Sequence, residues 1–448
     1  MRILRWPGNL LHFVFVFIVV LVCLLLYLLG RIATLFIFNR ARRSRAVGKL
    51  RGKLLRLGMT ALGATFIKMG QVLSTRPDLL SAEVIAELRV LQDRLPAFGF
   101  WRVRRRVERD LGPLEQHFSE FDKQPVAAAS VAQVHRARLK DGREVAVKVL
   151  RPNIRRQAER DATILLAGAH VLALSPKARM SDPVGHLKHF VNAIIDQTDL
   201  RIEAKNYVEF RKNFADNPNV HFPEVIDELS AEHVLAMEFI RGTKIDELIA
   251  NDRAKLDNLD TTVREAIFQM CFKDGFLHAD LHPGNMLVDD DGALVIFDVG
   301  LAKHLSGDVF DQFIDMTKCL TMGTPDDVVA HFRRYHTYLD NVDWDSLRVE
   351  VQAFADKFRA QDISELEHTD LLNDMFALGR RHHVHPVTDL TLVFVALITA
   401  QGIGKMLNPD ANVFKMLSVY LLPILMARGD SIPATDEAQE AKAALGSA

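Results

Sequence analysis

VAAASVAQVHRARLKDGREVAVKVL, residues 126–150, alternates apolar and polar side chains on both sides of Asp141-Gly142. That alternation has the period of a half-buried strand, and Asp-Gly suits the positive φ of a tight hairpin turn. Two antiparallel strands are therefore expected between Val131 and Leu150. In the second, Val145, Val147 and Val149 share one face while Ala146, Lys148 and Leu150 share the other. A lysine on a half-buried face needs an anion. One reading is contact with nucleotide phosphates, with a helix glutamate in support, for which Glu203 in DLRIEAKN is the best candidate. The plainer reading is an edge lysine that snorkels to solvent.

The loop ahead of these strands, Ala127, Ala128, Ala129, Ser130 and Val131, has alanines where a phosphate loop would ordinarily use glycines. Alanines favour helical conformations and place methyl groups where phosphates approach. The loop is expected to be stiff, the capped start of a short turn, with Ser130 and backbone N–H groups facing the nucleotide.

A second constellation lies downstream. In HADLHPGN, Asp280 precedes Asn285 by five positions, a spacing that lets one loop aim both at a phosphate and its metal. Asp280 would orient or deprotonate an attacking hydroxyl. Asn285 and Asp298, in IFDVGL just after a strand, would supply oxygen ligands for Mg2+. Each piece alone is weak, but their order behind a VAVK strand makes a nucleotide site the coherent reading. His278 and His282 lack a third ligand in sequence and read as structural. The RRHHVHP cluster, residues 380–386, reads as a helix end with solvated imidazoles.

The chain has 448 residues, enough for two lobes plus extensions, and a formal net charge of -1, which argues against a nucleic-acid binder. Its three cysteines, Cys23, Cys271 and Cys319, are scattered, so neither a disulfide framework nor a zinc motif is expected. Leu10 to Leu29 is apolar except for His12, long enough for a membrane anchor. NRARRSRAVGKLRGKLLR follows with eight cationic residues and no acid. The positive-inside rule then places the rest of the chain on the cytoplasmic side, against anionic headgroups.

Lys49 to about Leu95 has helical spacing with a helix start at Ser81, and helical spacing returns from Ile154 to Phe214. Asp291-Gly292 marks a second hairpin, and the chain to Met426 is mostly helical. Met416–Met426 carries Pro423 and is too short for a second span. The expected division is an anchor over 1–39, a basic linker and helical extension over 40–122, lobes over 123–241 and 242–428, and a mobile tail over 429–448.

These residues resemble the UbiB family of atypical kinases, also called the ADCK group, from about Leu50 to Met426. The most specific marker is LGATFIKMGQVLSTRPDLL, whose KxGQ signature spans Lys68 to Gln71, found together with the AAAS loop and HADLHPGN. The resemblance implies an α+β, two-lobed protein-kinase-like fold with a helical N-terminal extension, here behind an N-terminal transmembrane helix. It also implies binding of ATP or ADP with Mg2+, ATPase activity, and support of ubiquinone biosynthesis at a membrane. By position, Ala127 to Ser130 match the nucleotide loop, Lys148 the phosphate lysine and Glu203 its partner. Asp280, Asn285 and Asp298 match the catalytic and metal positions, and Glu238 falls where the hinge would meet adenine. In the family an ExD motif engages the KxGQ lysine; here Asp199 is kept but Gln197 replaces the first acid, which removes one charge from that network.

Three functions follow as expectations. The first is an inner-membrane, single-pass atypical kinase or ATPase, working with quinone precursors and quinone-biosynthesis enzymes and without ordinary protein-kinase action. The others are a small-molecule phosphotransferase of the aminoglycoside or choline kinase type, and a nucleotide-switched scaffold.

Overall fold

The computed structural model of the chain describes residues 7–35, 39–74, 80–91, 96–175, 183–251, 259–305, 307–338, 341–360, 377–379, 381–385 and 413–446, with Asp374, Ile403 and Leu407. Contacts divide it into two compact units, Met1–Glu209 with Pro223–Phe239, and Phe210–Phe222 with Ile240–Ala448.

The first unit begins with helices. α1 (Pro7–Thr34) holds the apolar run, and its Leu11–Thr34 stretch is long and apolar enough to cross a bilayer. α2 (Arg40–Leu62) carries the basic run and is capped by Asn39, whose side chain accepts from the Arg42 N–H. It stops at Gly63, where a φ of 97° favours glycine, and α3 (Ala64–Ser74) restarts at once. α4 (Ala82–Leu88) follows an extended Ser81. Met59 and Leu62 of α2, Phe66 and Ile67 of α3, and Val84 and Leu88 of α4 bury together with Val16 of α1.

α5 (Phe100–Leu111) falls inside the helical extension expected over 40–122, but beyond the helical spacing read to about Leu95. Its cationic residues hide an apolar stripe of two buried valines, Val103 and Val107. A short α6 (Leu114–His117) then leads into a sheet built from β1 (Phe118–Phe121), β2 (Ala127–Ala128), β3 (Ala132–Leu139) and β4 (Glu144–Leu150). α7 (Ile154–Leu172), α8 (Pro183–Asp196) and α9 (Leu200–Asn213) precede β5 (Val220–His221) and β6 (Val234–Glu238). The strand order is β1-β3-β4-β6 with β2 added to β3, and every pairing is antiparallel. The expected hairpin joins β3 to β4 with Gly142 at φ 93°. Val145, Val147 and Val149 pack against Val103 and Val107, so α5 covers the face of β4 opposite Lys148.

In the second unit β5 runs parallel to β10 (Leu294–Ile296), which pairs antiparallel with β9 (Met286–Asp289) and through it with β7 (Gly242–Lys244). Gly292, at φ 90°, closes the expected second hairpin. α10 (Ile245–Asn251) and α11 (Leu259–Phe268) precede a π-helical turn, Gln269–Asp274. β8 (Phe276–His278) then pairs with β11 (Ala302–His304). The helical remainder contains α12 (Gly307–Met322), α13 (Pro325–Tyr335), α14 (Trp344–Ala360), α15 (Val413–Arg428) and α16 (Asp436–Gly446). In α15, Leu417, Leu421, Leu422 and Leu425 are buried.

Two expectations are corrected here. The tail from residue 429 is not a mobile strand of polar chain over its length: α16 buries Ala438 and Ala441, and Thr435 Oγ1 donates to the Met322 carbonyl at 2.5 Å. Small side chains three apart let that helix approach closely despite its polar composition. In the 380–386 cluster a helix ends at Arg381 and His383 is exposed, as expected, but His382 is not simply solvated. His382 Nε2 lies 3.1 Å from Glu350 Oε1, and Val384–His385 forms β13, paired with β12 (Thr337–Tyr338); Arg380 and Pro386 lie outside the described residues.

Candidate functional site

The chemically suggestive residues form two groups, one in each unit. In the first, β4 holds Lys148 in register between Val134 of β3 and Leu235 of β6, in the interior of the sheet. α9 presents Glu203, and Lys148 Nζ donates to its Oε1 at 2.7 Å and its Oε2 at 2.9 Å. Lys148 is 6% exposed and Glu203 4%. The ammonium is therefore desolvated and fixed, not snorkelling, and a buried charge of this kind persists only with a partner.

The alanine loop departs from its expected helical start. Ala127 and Ala128 are extended and pair with Val134 and Gln133, and the Ala129 N–H donates to the Ala132 carbonyl at 2.8 Å. Pairing with β3 satisfies amides that a helical turn would have left open, and this outweighs alanine's intrinsic preference. The Val126 and Ala129 amides are therefore spent on the sheet. Arg151, which the sequence pattern did not single out, holds the turn from behind: its Nε and one terminal nitrogen donate to the Ala129 carbonyl at 2.9 and 2.8 Å, and its own N–H donates to the Val131 carbonyl. Ser130 is buried, and Glu238 at the end of β6 accepts from the Glu224 N–H at 3.3 Å.

A neutral histidine braces the same sheet. His135 Nδ1 donates to the Asp122 carbonyl at 2.7 Å while its Nε2 accepts from Gln133 Nε2, and burial pushes its pKa down. Gln133 in turn accepts from the Phe98 N–H at 2.9 Å, tying β3 to the segment that enters α5.

The KxGQ signature sits on α3. Lys68 is 5% exposed. Gly70 is closely packed: a Cβ there would lie 2.2 Å from Leu91 Cδ1 and 2.7 Å from Met59 Sδ, so both side chains would have to shift. Gln71 Nε2 donates to the Leu91 carbonyl at 3.2 Å, so two of the signature's residues fasten α3 to the segment after α4. Asp199 is held by Arg201, whose Nε and terminal nitrogen donate to its two oxygens at 2.9 and 2.7 Å, and this keeps the Asp199 carboxyl below its ordinary range. Among the described residues, Gln197 Oε1 is buried without a hydrogen-bond partner.

In the second unit the loop after β8 is held by its own backbone. The Ala279 N–H donates to the Leu301 carbonyl at 2.7 Å, the Asn285 N–H to His282 at 2.8 Å, and the Phe297 N–H to Asn285 at 3.0 Å. Asn285 Nδ2 donates to the Asp280 carbonyl at 3.1 Å, which leaves the amide oxygen as the group's metal-type donor. His278 organises the loop: its Nδ1 accepts from the Asp280 N–H at 3.2 Å and its Nε2 donates to the Phe297 carbonyl at 3.4 Å. Burial pushes its pKa down, against the attraction of both Asp280 and Asp298, so one neutral ring lies within electrostatic reach of both carboxylates. Phe210 packs on Phe276 and Phe222 beneath, with ring centroids 4.4 and 4.9 Å apart. His282 Nδ1 caps the short 3-10 turn Pro283–Asn285 by accepting from the Gly284 N–H. Asp298 adopts φ 60°, a left-handed conformation that a side chain takes only where its surroundings impose it. The oxygen donors of Asn285 and Asp298 suit a hard cation such as Mg2+.

Another polar cluster links α12 and α13. Asp315, Cys319 and His331 place donor atoms within 4.8 Å of one another. Asp315 accepts from Lys318 and from His331 Nδ1, both at 2.8 Å, which pushes its pKa down to about 2. With both carboxylate oxygens engaged and the Cys319 thiol pushed up to about 12 by burial, the cluster serves as a polar contact between helices.

Comparison with known proteins places these groups in a family context. Residues 90–331 match the ABC1 atypical kinase-like domain, and residues 351–412 match the UbiB helical domain. A probable protein kinase UbiB of Aeromonas hydrophila is 32% identical over 396 residues, covering 85% of this chain and 71% of the relative. The chloroplast protein Activity of BC1 Complex Kinase 7 of Arabidopsis thaliana is 32% identical over 86% of this chain and 56% of its own length. Among solved structures, the Rv3197–erythromycin complex of Mycobacterium tuberculosis superposes with a TM-score of 0.52 at 23% identity, covering 79% of this chain and 90% of that one, a likeness of fold. The mixed helix and sheet architecture, the KxGQ helix and these matches lead to one assignment: the chain belongs to the UbiB family of ABC1-type atypical kinases.

Proposed function

We propose that the chain binds ATP or ADP with Mg2+ and acts as an atypical kinase or ATPase in support of ubiquinone biosynthesis. The observation that carries this reading is the buried Lys148–Glu203 pair, 2.7 Å apart, in which an ammonium is held rigid and desolvated for an anion to approach. In this reading Lys148 contacts phosphate oxygens, Ala127 to Val131 line the nucleotide, and Glu238 meets the adenine. Asp280 orients or deprotonates the attacking hydroxyl or water. Asn285 and Asp298 hold Mg2+, which neutralises charge developing on the phosphates. His278, kept neutral, fixes the backbone that presents Asp280. Lys68 and Gln71 on the extension regulate together with Gln197 and Asp199 ahead of α9, which is why transfer to a protein in trans is not expected.

The same proposal makes α1 a single-pass anchor in the cell inner membrane, with the remainder cytoplasmic and the basic run against anionic lipid headgroups. Quinone precursors and quinone-biosynthesis enzymes are the proposed partners. The test is the quinone pool of a deletion strain complemented with wild-type or Asp298→Asn protein. Restoration by the wild type alone supports the reading; equal restoration by both contradicts it.

A further inference from the structure

α1 has an apolar surface far larger than a water-facing helix keeps. Fifteen large apolar side chains between Leu11 and Ile32 are exposed. Yet one stripe of the same helix is committed to protein. His12, Val16, Val19, Cys23 and Gly30 recur at spacings of four, three, four and seven, the seam of a packed helix pair. Gly30 lies against Leu50, Cys23 Sγ donates to the Leu54 carbonyl at 3.6 Å and faces Gly58, and Val16 and Val19 join Met59 and Leu62. The residues pair in reverse order, so α1 and α2 form an antiparallel hairpin. At its far end His12 Nε2 lies 2.6 Å from Asp161 Oδ1 of α7, a carboxylate with no exposure to solvent.

This hairpin cannot coexist with a spanning α1. Cys23 is near the middle of the Leu11–Thr34 stretch, and the α2 residues beside it are flanked by Arg51, Lys53 and Arg56. With α1 upright in a bilayer and the hairpin intact, these cations would lie near the hydrocarbon midplane, and Asp161 would be drawn toward the headgroups. A spanning helix must therefore leave α2.

We propose that α1 is a retractable anchor with two mutually exclusive seats. In one it lies along α2, α3 and α7, latched by His12 and Asp161. In the other it crosses an anionic bilayer and leaves the cationic α2 at the headgroups. Because Val16 shares its cluster with Phe66 and Ile67, insertion also withdraws packing from the helix that carries Lys68. The inference rests on the anchor reading of α1 and adds that docking and insertion compete.

The geometry supplies a trap. A Cβ built on Gly58 lies 3.1 Å from Cys23 Sγ, close to the roughly 3 Å that separates one Cβ from the opposite sulfur across a disulfide. The full-length Gly58→Cys protein would be oxidised with copper–phenanthroline, in mild detergent and after reconstitution into phosphatidylethanolamine–phosphatidylglycerol vesicles. The expected result is near-complete crosslinking in detergent and at least tenfold less in the fraction that resists alkaline carbonate. Protein oxidised beforehand should fail to become carbonate-resistant until it is reduced, and His12→Ala should raise the resistant fraction. Equal crosslinking in resistant protein, or none in detergent, overturns the two-seat proposal. A wild-type chain that never becomes carbonate-resistant overturns the anchor reading itself.

Discussion

The two units hold their charges by different means. In the first, Lys148 is locked inside a sheet and neutralised by Glu203, so the residue proposed to meet phosphate also supports the fold. In the second, Asp280, Asn285 and Asp298 sit on a loop whose shape is set by backbone bonds and by His278. A charge buried in a sheet must be paired before any ligand arrives, whereas the shape of the second group is carried chiefly by the backbone of its loop. Substitutions in the first group should therefore cost more stability than those in the second, which should cost chiefly ligand binding.

The largest expected effect is on the ion pair. Glu203→Ala leaves Lys148 buried without its main partner and should destabilise the chain by about 3–5 kcal/mol in denaturant unfolding, while Lys148→Met with Glu203→Leu should recover most of that loss. If the single substitution costs no more than a surface change, the contrast between the units fails. Next comes Gly70→Ala, whose added methyl meets Leu91 and Met59 at less than contact distance. It should cost about 1–3 kcal/mol, read as a lower midpoint at unchanged slope. Asp298→Gly should do the reverse on the other side. Glycine relieves the positive φ, so stability should stay level or rise by up to about 1 kcal/mol while Mg2+-dependent nucleotide binding is lost.

The smallest effect is shared, because each unit keeps one neutral histidine. Burial lowers the pKa of both His135 and His278, so below the ordinary histidine value of about 6.5 the unfolded chain binds more protons than the folded one. Their contribution is complete above that value and declines as the pH falls through it. His278→Gln should flatten part of the drop in melting temperature between about pH 6.5 and 5. Asp315 acts lower: its carboxyl is held near 2, so its contribution is present above about 4 and disappears as the pH falls toward 2.

Much of this was legible in the residues. Asp141-Gly142 and Asp291-Gly292 gave both hairpins because a turn is a local matter, and VAVK followed by HADLHPGN located both charge groups. What stayed hidden depends on distant partners. The alanine loop is extended because β3 takes its amides, and Arg151 supports it across a turn of sequence that carries no motif. Between its arginines α5 shows Val103 and Val107, and their burial is evident only with β4 beneath them. His12 looked like a blemish in an apolar run, since Asp161 lies 149 residues away.

Nucleotide calorimetry most directly tests the claim that Lys148 is paired in advance for a phosphate and that Asp298 serves chiefly the metal. Wild type should bind ADP and ATP only with Mg2+, Asp298→Asn should lose that binding with a smaller drop in melting temperature than Lys148→Met, and Lys148→Met should lose both binding and stability. Full Mg2+-dependent binding by Asp298→Asn, or a Lys148→Met protein as stable as wild type, would contradict the account.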